Sequence, residues 1–188
     1  MAASTVMGWV LRYAPEFEKR WQEYEKPVAL SWRVDETYIK VGGRWTYLYR
    51  AVDQNGSVDS FLSKRRDVGA AQTFFRRALQ KQGDPLSITL DAYAAWHRAV
   101  PEFKESGEML YQKRRVRSCA SLRPVEQDHR RVKRRLNPML GFQSLENAGV
   151  VIAGIELAQK ISKRPYDWRR LGGTDASHAH VWQRVMAA

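Results

Sequence analysis

Cysteine is almost missing: Cys119 is the only one in 188 residues. A lone thiol cannot close an internal disulfide, and it removes any cysteine-based zinc site. No stretch of eighteen apolar residues occurs, so no segment reads as a membrane-spanning helix. The first residues, MAASTVMGWV, lack a basic stretch ahead of an apolar run, which argues against a secretory leader. Internal repeats and low-complexity segments are missing too. These absences fit a cytoplasmic protein without a membrane role. Acid is the scarce charge, with 20 Asp and Glu against 32 Lys and Arg, a net charge of +12 and a pI near 10.1. Such a balance points to a polyanionic partner, nucleic acid first. An acidic membrane surface fits less well, because the basic residues do not line one helix opposite a greasy face. The bland alternative is a basic protein that is merely soluble. Apolar residues at 44 % are enough for one ordinary domain with its own core.

The positive charge is concentrated. Ten basic residues fall between Lys113 and Arg135, including Arg114, Arg115, Arg130, Arg131, Lys133 and Arg134. Only Glu126 and Asp128 oppose them, so this stretch carries +8 of the total +12. A solvated face usually mixes both signs. Side chains of this kind neutralise phosphates and release counterions, which holds a duplex in place without reading its sequence. Smaller clusters are Lys64-Arg65-Arg66, Arg76-Arg77, Lys163-Arg164 and Arg169-Arg170.

Periodicity gives an ordered series of elements. Residues 3–13 read as an amphipathic helix with Val6, Trp9, Val10 and Tyr13 at helical spacing, and Pro15 is expected to open a second helix to about Tyr24. Trp32 to Val41, Arg44 to Val52 and Ser57 to Ser63 read as strands, separated by the turn pairs Gly42-Gly43 and Asn55-Gly56. Asp67 can cap a helix that buries Phe74 and Phe75 and stops at Gly83. Leu86 to Leu90 reads as a buried strand, followed by a helix from about Ala92 to Val100 that Pro101 should end. Met109 to Val116 reads as a fifth strand and Ser118 to Arg123 as loop. Pro124 sits well in the first turn of a helix to about Leu136. Leu145 to Ser162 is a last long helix, and the tail after Arg164 is expected to lie on the surface or be loosely ordered. Three antiparallel strands followed by alternating helix and strand make a mixed α/β order. The ribonuclease H-like fold has that order.

Three acids stand out. Asp35 lies inside the first strand, where acids are disfavoured. Asp91 closes the fourth strand, and Glu126 falls in the first turn of the helix after the basic stretch. If the first and fourth strands are neighbours, the three carboxylates can converge. Mg²⁺ takes hard oxygen ligands of this kind, and two such ions roughly 3.5–4 Å apart can serve both oxygens of a phosphodiester displacement. On a helix, Glu126, Arg130 and Lys133 share one face. Plainer readings stand beside this one: Asp35 as an edge charge, Asp91 as a helix cap, and Glu126 as an acid favoured by the helix dipole. His129 neighbours Glu126 and more often such a histidine packs or hydrogen-bonds, while Asp128 points away. His178 and His180 read as solvent-exposed. Trp32, Trp45, Tyr47 and Tyr49 are expected in the sheet core rather than stacked on bases. Trp96 is open between packing and a DNA-facing wedge, and Cys119 reads as inert.

The blocks WRVDETYIKVGGRWTYLYRAVD, ITLDAYAA, VEQDHRRVKRR, PMLGFQS and AGIELAQKI resemble the core of bacterial DDE transposases, in particular the insertion sequence 6 group. The resemblance covers residues 3–162. It implies that Asp35, Asp91 and Glu126 are the catalytic and metal-holding acids, with thirty-four residues between the second and third. It matches Lys133 to a basic residue seven positions after the third acid. It further implies a Mg²⁺-dependent enzyme (Mn²⁺ as a substitute) that cuts double-stranded DNA at element ends. The freed 3′-hydroxyl then attacks target DNA, giving a replicative cointegrate, and more than one copy of the chain is needed to join two ends. The chain also departs from the family pattern. Only ASTVMGWVLRYAP resembles the end of the helix-turn-helix region, Gly8 stands where a basic residue is common, and Cys119 to Pro124 replace the usual stretch before the third acid. The expected division is a residual helical segment at 1–27, a catalytic core at 28–163 and a tail at 164–188. A shortened, catalytically unproductive DNA-binding remnant is the alternative. A host nuclease of the same fold fits the long family blocks less well.

Overall fold

A computed structural model describes residues 3–25, 27–90, 94–105, 107, 115–118, 134, 141–163 and 178–187. The chain divides into two compact units, Val28–Gln143 on one side and Met1–Pro27 with Ser144–Ala188 on the other.

The first unit is built on a five-stranded sheet ordered β3-β2-β1-β4-β5. The strands are β1 (Ser31–Val41), β2 (Arg44–Val52), β3 (Ser57–Ser63), β4 (Ser87–Leu90) and β5 (Arg115–Ser118). β1, β2 and β3 run antiparallel in turn, whereas β4 and β5 run parallel to β1. The β1–β2 turn needs two residues at positive φ, and Gly42 and Gly43 supply them at +56° and +74°. Asp53 holds the second turn. Its buried carboxylate accepts the backbone N–H of Asn55 at 2.7 Å, of Gly56 at 2.8 Å and of Ala29 at 2.7 Å. It thereby ties the entry to β1 to the end of β2.

Helix α2 (Val68–Gln82) starts where the Asp67 side chain accepts the Ala70 N–H at 2.8 Å and stops at Gly83, φ +74°. With α3 (Ala94–Glu105) it covers one face of the sheet. Phe74, Phe75, Ala78, Trp96, Ala99 and Phe103 pack there on Trp32, Val34, Tyr49, Ala51, Ile88 and Leu90. Each large side chain buried in this way contributes roughly 1.5–3 kcal/mol. The expectation that Pro101 ends α3 is wrong. The helix runs on to Glu105 because Phe103 is buried beyond the proline. Pro101 itself stands on the exposed side, where a missing N–H bond costs least. The fifth strand is described at Arg115–Ser118, overlapping the end of the expected one and pairing with the whole of β4, while residues 109–114 lie outside the described residues.

The second unit contains α1 (Ala3–Trp21), α4 (Leu145–Lys163) and α5 (His178–Ala187). α1 is one helix rather than two. Its packed stripe continues past the exposed Pro15, from the half-buried Ala14 to the buried Phe17 and Trp21, and packing there outweighs the proline. The expected stripe was misplaced, since Trp9 and Tyr13 are 51 % and 46 % exposed. α1 approaches α4 closely at Gly154, where a Cβ would sit 3.4 Å from that of Ala14. The tail is not loosely ordered over its last part. Val181 and Val185, one helical turn apart, are fully buried against Phe17, Trp21, Leu157 and Ile161. Trp182 tilts onto Phe17 with ring centroids 3.8 Å apart, and Arg20 donates to the Met186 carbonyl at 2.6 Å. His180 on this helix is exposed, as expected.

Candidate active site

Strand alternation separates the two adjacent acids of the DETY block. In the β1–β2 register Asp35 stands opposite Arg50, and Glu36 opposite Tyr49. Side chains of paired residues share a face and those of successive residues do not. Glu36 therefore belongs to the face covered by α2. There its side chain, 4 % exposed, takes the Arg66 guanidinium at 2.7 Å. Asp35 belongs to the other face. It is half-buried, and its Oδ1 accepts the Glu36 backbone N–H at 2.6 Å, which fixes the rotation of the carboxylate.

The parallel pairing brings the second acid into range. β4 lies beside β1 with Trp32 opposite Ile88 and Val34 opposite Leu90. Val34 immediately precedes Asp35 in the chain, and Leu90 immediately precedes Asp91. The expectation that the first and fourth strands are neighbours is met. Asp91, Glu126, Lys133, Arg130, Arg131 and Arg114 lie outside the described residues, as do the expected helix from Pro124, Cys119, Asp128 and His129. Of the remaining basic candidates, Arg115 opens β5 opposite Ser87, and Arg134 is helical and exposed. Among the described residues no group of three His, Cys, Asp or Glu side chains gathers as a metal site.

Two features of the β1–β2 hairpin were missed from sequence. Arg50 is a charged residue 1 % exposed in the middle of β2, directly across from Asp35. Its only sequence sign was a cation inside the apolar run YLYRAV. The other is Trp45. Trp32 and Tyr49 are buried in the core as expected and Tyr47 packs against it, but Trp45 is 54 % exposed, so its assignment to the core fails. It lies beyond the end of β3, opposite Lys40 near the hairpin turn. Trp96 is settled as packing. It is fully buried, edge-on to Tyr49 and Phe75 at centroid distances of 5.3 Å.

Comparison with known proteins decides the family. A family model described as a DDE domain matches residues 29–165. The chain belongs to the DDE transposases. It is 33 % identical over 166 residues to the Staphylococcus aureus transposase for insertion sequence-like element IS431mec, covering 86 % of this chain and 70 % of that one. The same figures hold for the S. aureus transposase of insertion sequence element IS257 in transposon Tn4003. These relatives place the transposase in the insertion sequence 6 group, so it is a DNA transposase and a polynucleotidyl transferase by class. Its fold is that of solved catalytic cores. The BIV integrase core has a TM-score of 0.52 at 15 % identity, covering 85 % of this chain and 97 % of that one. The Mos1 mariner transposase catalytic domain has 0.50 at 16 % identity, covering 99 % and 89 %. The ribonuclease H-like fold expected from the element order is the fold observed.

Proposed function

We propose that Asp35, Asp91 and Glu126 form the catalytic carboxylate set of this transposase and hold Mg²⁺, with Mn²⁺ as a substitute. The observation that carries the reading is the parallel register of β1 and β4, in which the residues preceding Asp35 and Asp91 are paired. A set of three carboxylates is a hard, anionic oxygen donor set, which suits these ions. When bound, the metal supplies Lewis-acid polarisation of the scissile phosphate and makes the attacking oxygen a stronger nucleophile. The chain's own residues do the rest. The bond from the Glu36 N–H sets the Asp35 carboxylate. Arg50, buried across from it, offsets part of the negative charge that three acids would bring together. Arg114, Arg115, Arg130, Arg131, Lys133 and Arg134 neutralise backbone phosphates and hold the duplex against the acids. The reaction is cleavage at the ends of the element followed by attack of the 3′-hydroxyl on target DNA. The partners are double-stranded element ends and target DNA. The working form is a homo-oligomer in the cytoplasm.

The test is cleavage and strand transfer on a labelled duplex carrying the element's end, in Mg²⁺ and in Mn²⁺, with Asp35→Asn as control. Activity in the wild type that the variant loses is the expected result. Equal retardation of DNA by both proteins, with no cutting by either, would replace the reading by that of a DNA-binding remnant.

A further inference from the structure

The β1–β2 hairpin outlasts the strands on either side of it. β4 ends at Leu90, opposite Val34, and β3 ends at Ser63, opposite Tyr47 and therefore level with Tyr38. From Val34 the strand runs on to Val41, roughly 20 Å at the usual rise per residue. In this stretch Glu36 holds Arg66, and nearer the turn the hairpin meets the segment at Phe142. Val41 bridges Phe142, whose N–H donates to the Lys40 carbonyl at 3.0 Å. This overhang leaves the sheet at the carboxyl ends of β1 and β4, the end at which Asp35 lies and Asp91 follows.

The overhang carries exposed aromatics among cations. Tyr38 is 53 % exposed and Trp45 54 %, and they meet edge to face, with ring centroids 5.0 Å apart. Lys40 Nζ lies 5.2 Å from the centre of the Trp45 ring. The pairs Tyr38–Tyr47 and Lys40–Trp45 share one face of the hairpin. Arg44 is exposed beside them. Lys64, Arg65 and Arg66, also exposed, follow β3 at the same end, with Arg66 5.9 Å from the Tyr47 ring centre. Between Glu36 and Asp53 the chain has Lys40, Arg44 and Arg50 and no acid.

We infer that this hairpin tip is a DNA contact that takes an unpaired base. Lys40, Arg44 and the Lys64–Arg66 cluster hold the phosphates, and the Tyr38–Trp45 pair stacks on a base that has left its partner. Tyr38, Lys40 and Trp45 lie on the face of Glu36, opposite that of Asp35, so the contact is separate from the proposed acids. The inference rests on the proposed function for DNA as the substrate. Charge selects the occupant. A basic patch on a chain of net charge +12 repels a second copy and attracts a polyanion. Aromatic rings add binding only where a base face is open, so the contact favours an unpaired segment over an intact duplex.

The experiment measures binding of the full chain, by fluorescence anisotropy, to a paired duplex and to the same duplex with a short unpaired 3′ end. Circular dichroism confirms folding of each variant. Trp45→Ala is expected to weaken binding to the unpaired substrate about 5- to 100-fold, the range of one stacked base, and to leave the paired duplex unaffected. Trp45→Phe keeps an aromatic face and should restore most of the loss. Lys40→Ala should weaken both substrates alike. Equal losses on both substrates for Trp45→Ala, or none, would overturn the inference. So would a fall in oligomeric state of Trp45→Ala by sedimentation, which would make the patch an interface between copies. Asp35→Asn keeps the outcomes apart, because it should abolish strand transfer and retain the preference for the unpaired end.

Discussion

Replacing Asp53 by asparagine and Asp35 by asparagine should have opposite consequences, although both acids lie in the block that resembles the family core. Asp53 is 6 % exposed and accepts three backbone N–H groups, two at Oδ1 and one at Oδ2. An asparagine offers one oxygen. Placed to keep the bonds from Asn55 and Gly56, it turns an NH₂ group toward the Ala29 N–H. A buried donor without an acceptor costs about 1–3 kcal/mol, and the two surviving bonds weaken by about 1 kcal/mol each on losing the charge. Relief from burying a carboxylate offsets part of this. A net loss of about 2–3 kcal/mol follows, or roughly 5–10 °C in unfolding midpoint for a chain of this size. Asp35 is half-buried, and its described bond, from the Glu36 N–H, is one that asparagine can also accept. Asp35→Asn keeps that bond and should leave the chain folded while removing strand transfer. Urea titration followed by tryptophan fluorescence reads stability, and the end-cleavage assay, corrected for folded fraction, reads function. The reasoning fails if Asp53→Asn leaves the midpoint unchanged. It fails equally if Asp53→Asn abolishes activity in protein that is still folded.

Other outcomes follow from packing and backbone geometry. Trp96→Ala should cost about 3–5 kcal/mol, because it empties the space between Tyr49, Phe74 and Phe75. Thermal unfolding checks this, and a loss under about 1 kcal/mol would contradict the packing. Gly141→Ala should cost roughly 1–3 kcal/mol, since φ is +96° and the added Cβ would stand 3.2 Å from the Lys40 carbonyl oxygen. Urea denaturation reads that loss. Asp67→Ala should lose about 1 kcal/mol and Asp67→Ser much less, because serine keeps an acceptor for the Ala70 N–H.

Most of the fold was legible where a turn or a cap is written in one or two residues. Gly42-Gly43 and Asn55-Gly56 fixed the first three strands, and Asp67 with Gly83 bounded α2, each acting locally. The errors fall where distant packing overrides a local rule. Pro15 and Pro101 sit inside helices because Phe17, Trp21 and Phe103 are buried beyond them. The last helix escaped notice because its apolar residues fill one short stretch, and the burial of Val181 and Val185 depends on Phe17 and Trp21, far away in sequence. Periodicity read Trp45 as core like its neighbours, since nothing local shows that β3 stops short of it. For the site, the acids were chosen by residue type, spacing and family resemblance; the paired strands hold Asp35 and end at Leu90, one residue before Asp91, and Glu126 lies outside the described residues. Arg50 was passed over because a charged residue in a strand ordinarily faces solvent, whereas this one is buried across from Asp35.

The opposite facing of Asp35 and Glu36 makes the site sensitive to phase. The two carboxylates differ by one methylene and one position, yet one stands on the face of the proposed site and the other is held by Arg66 on the α2 face. A slip of β1 by a single residue would exchange them, since every side chain on the strand would change face. The two-residue turn at Gly42-Gly43 prevents that slip by fixing how β1 meets β2. The hairpin loop thus sets, from seven residues away, which acid faces the proposed site and which serves as the structural post.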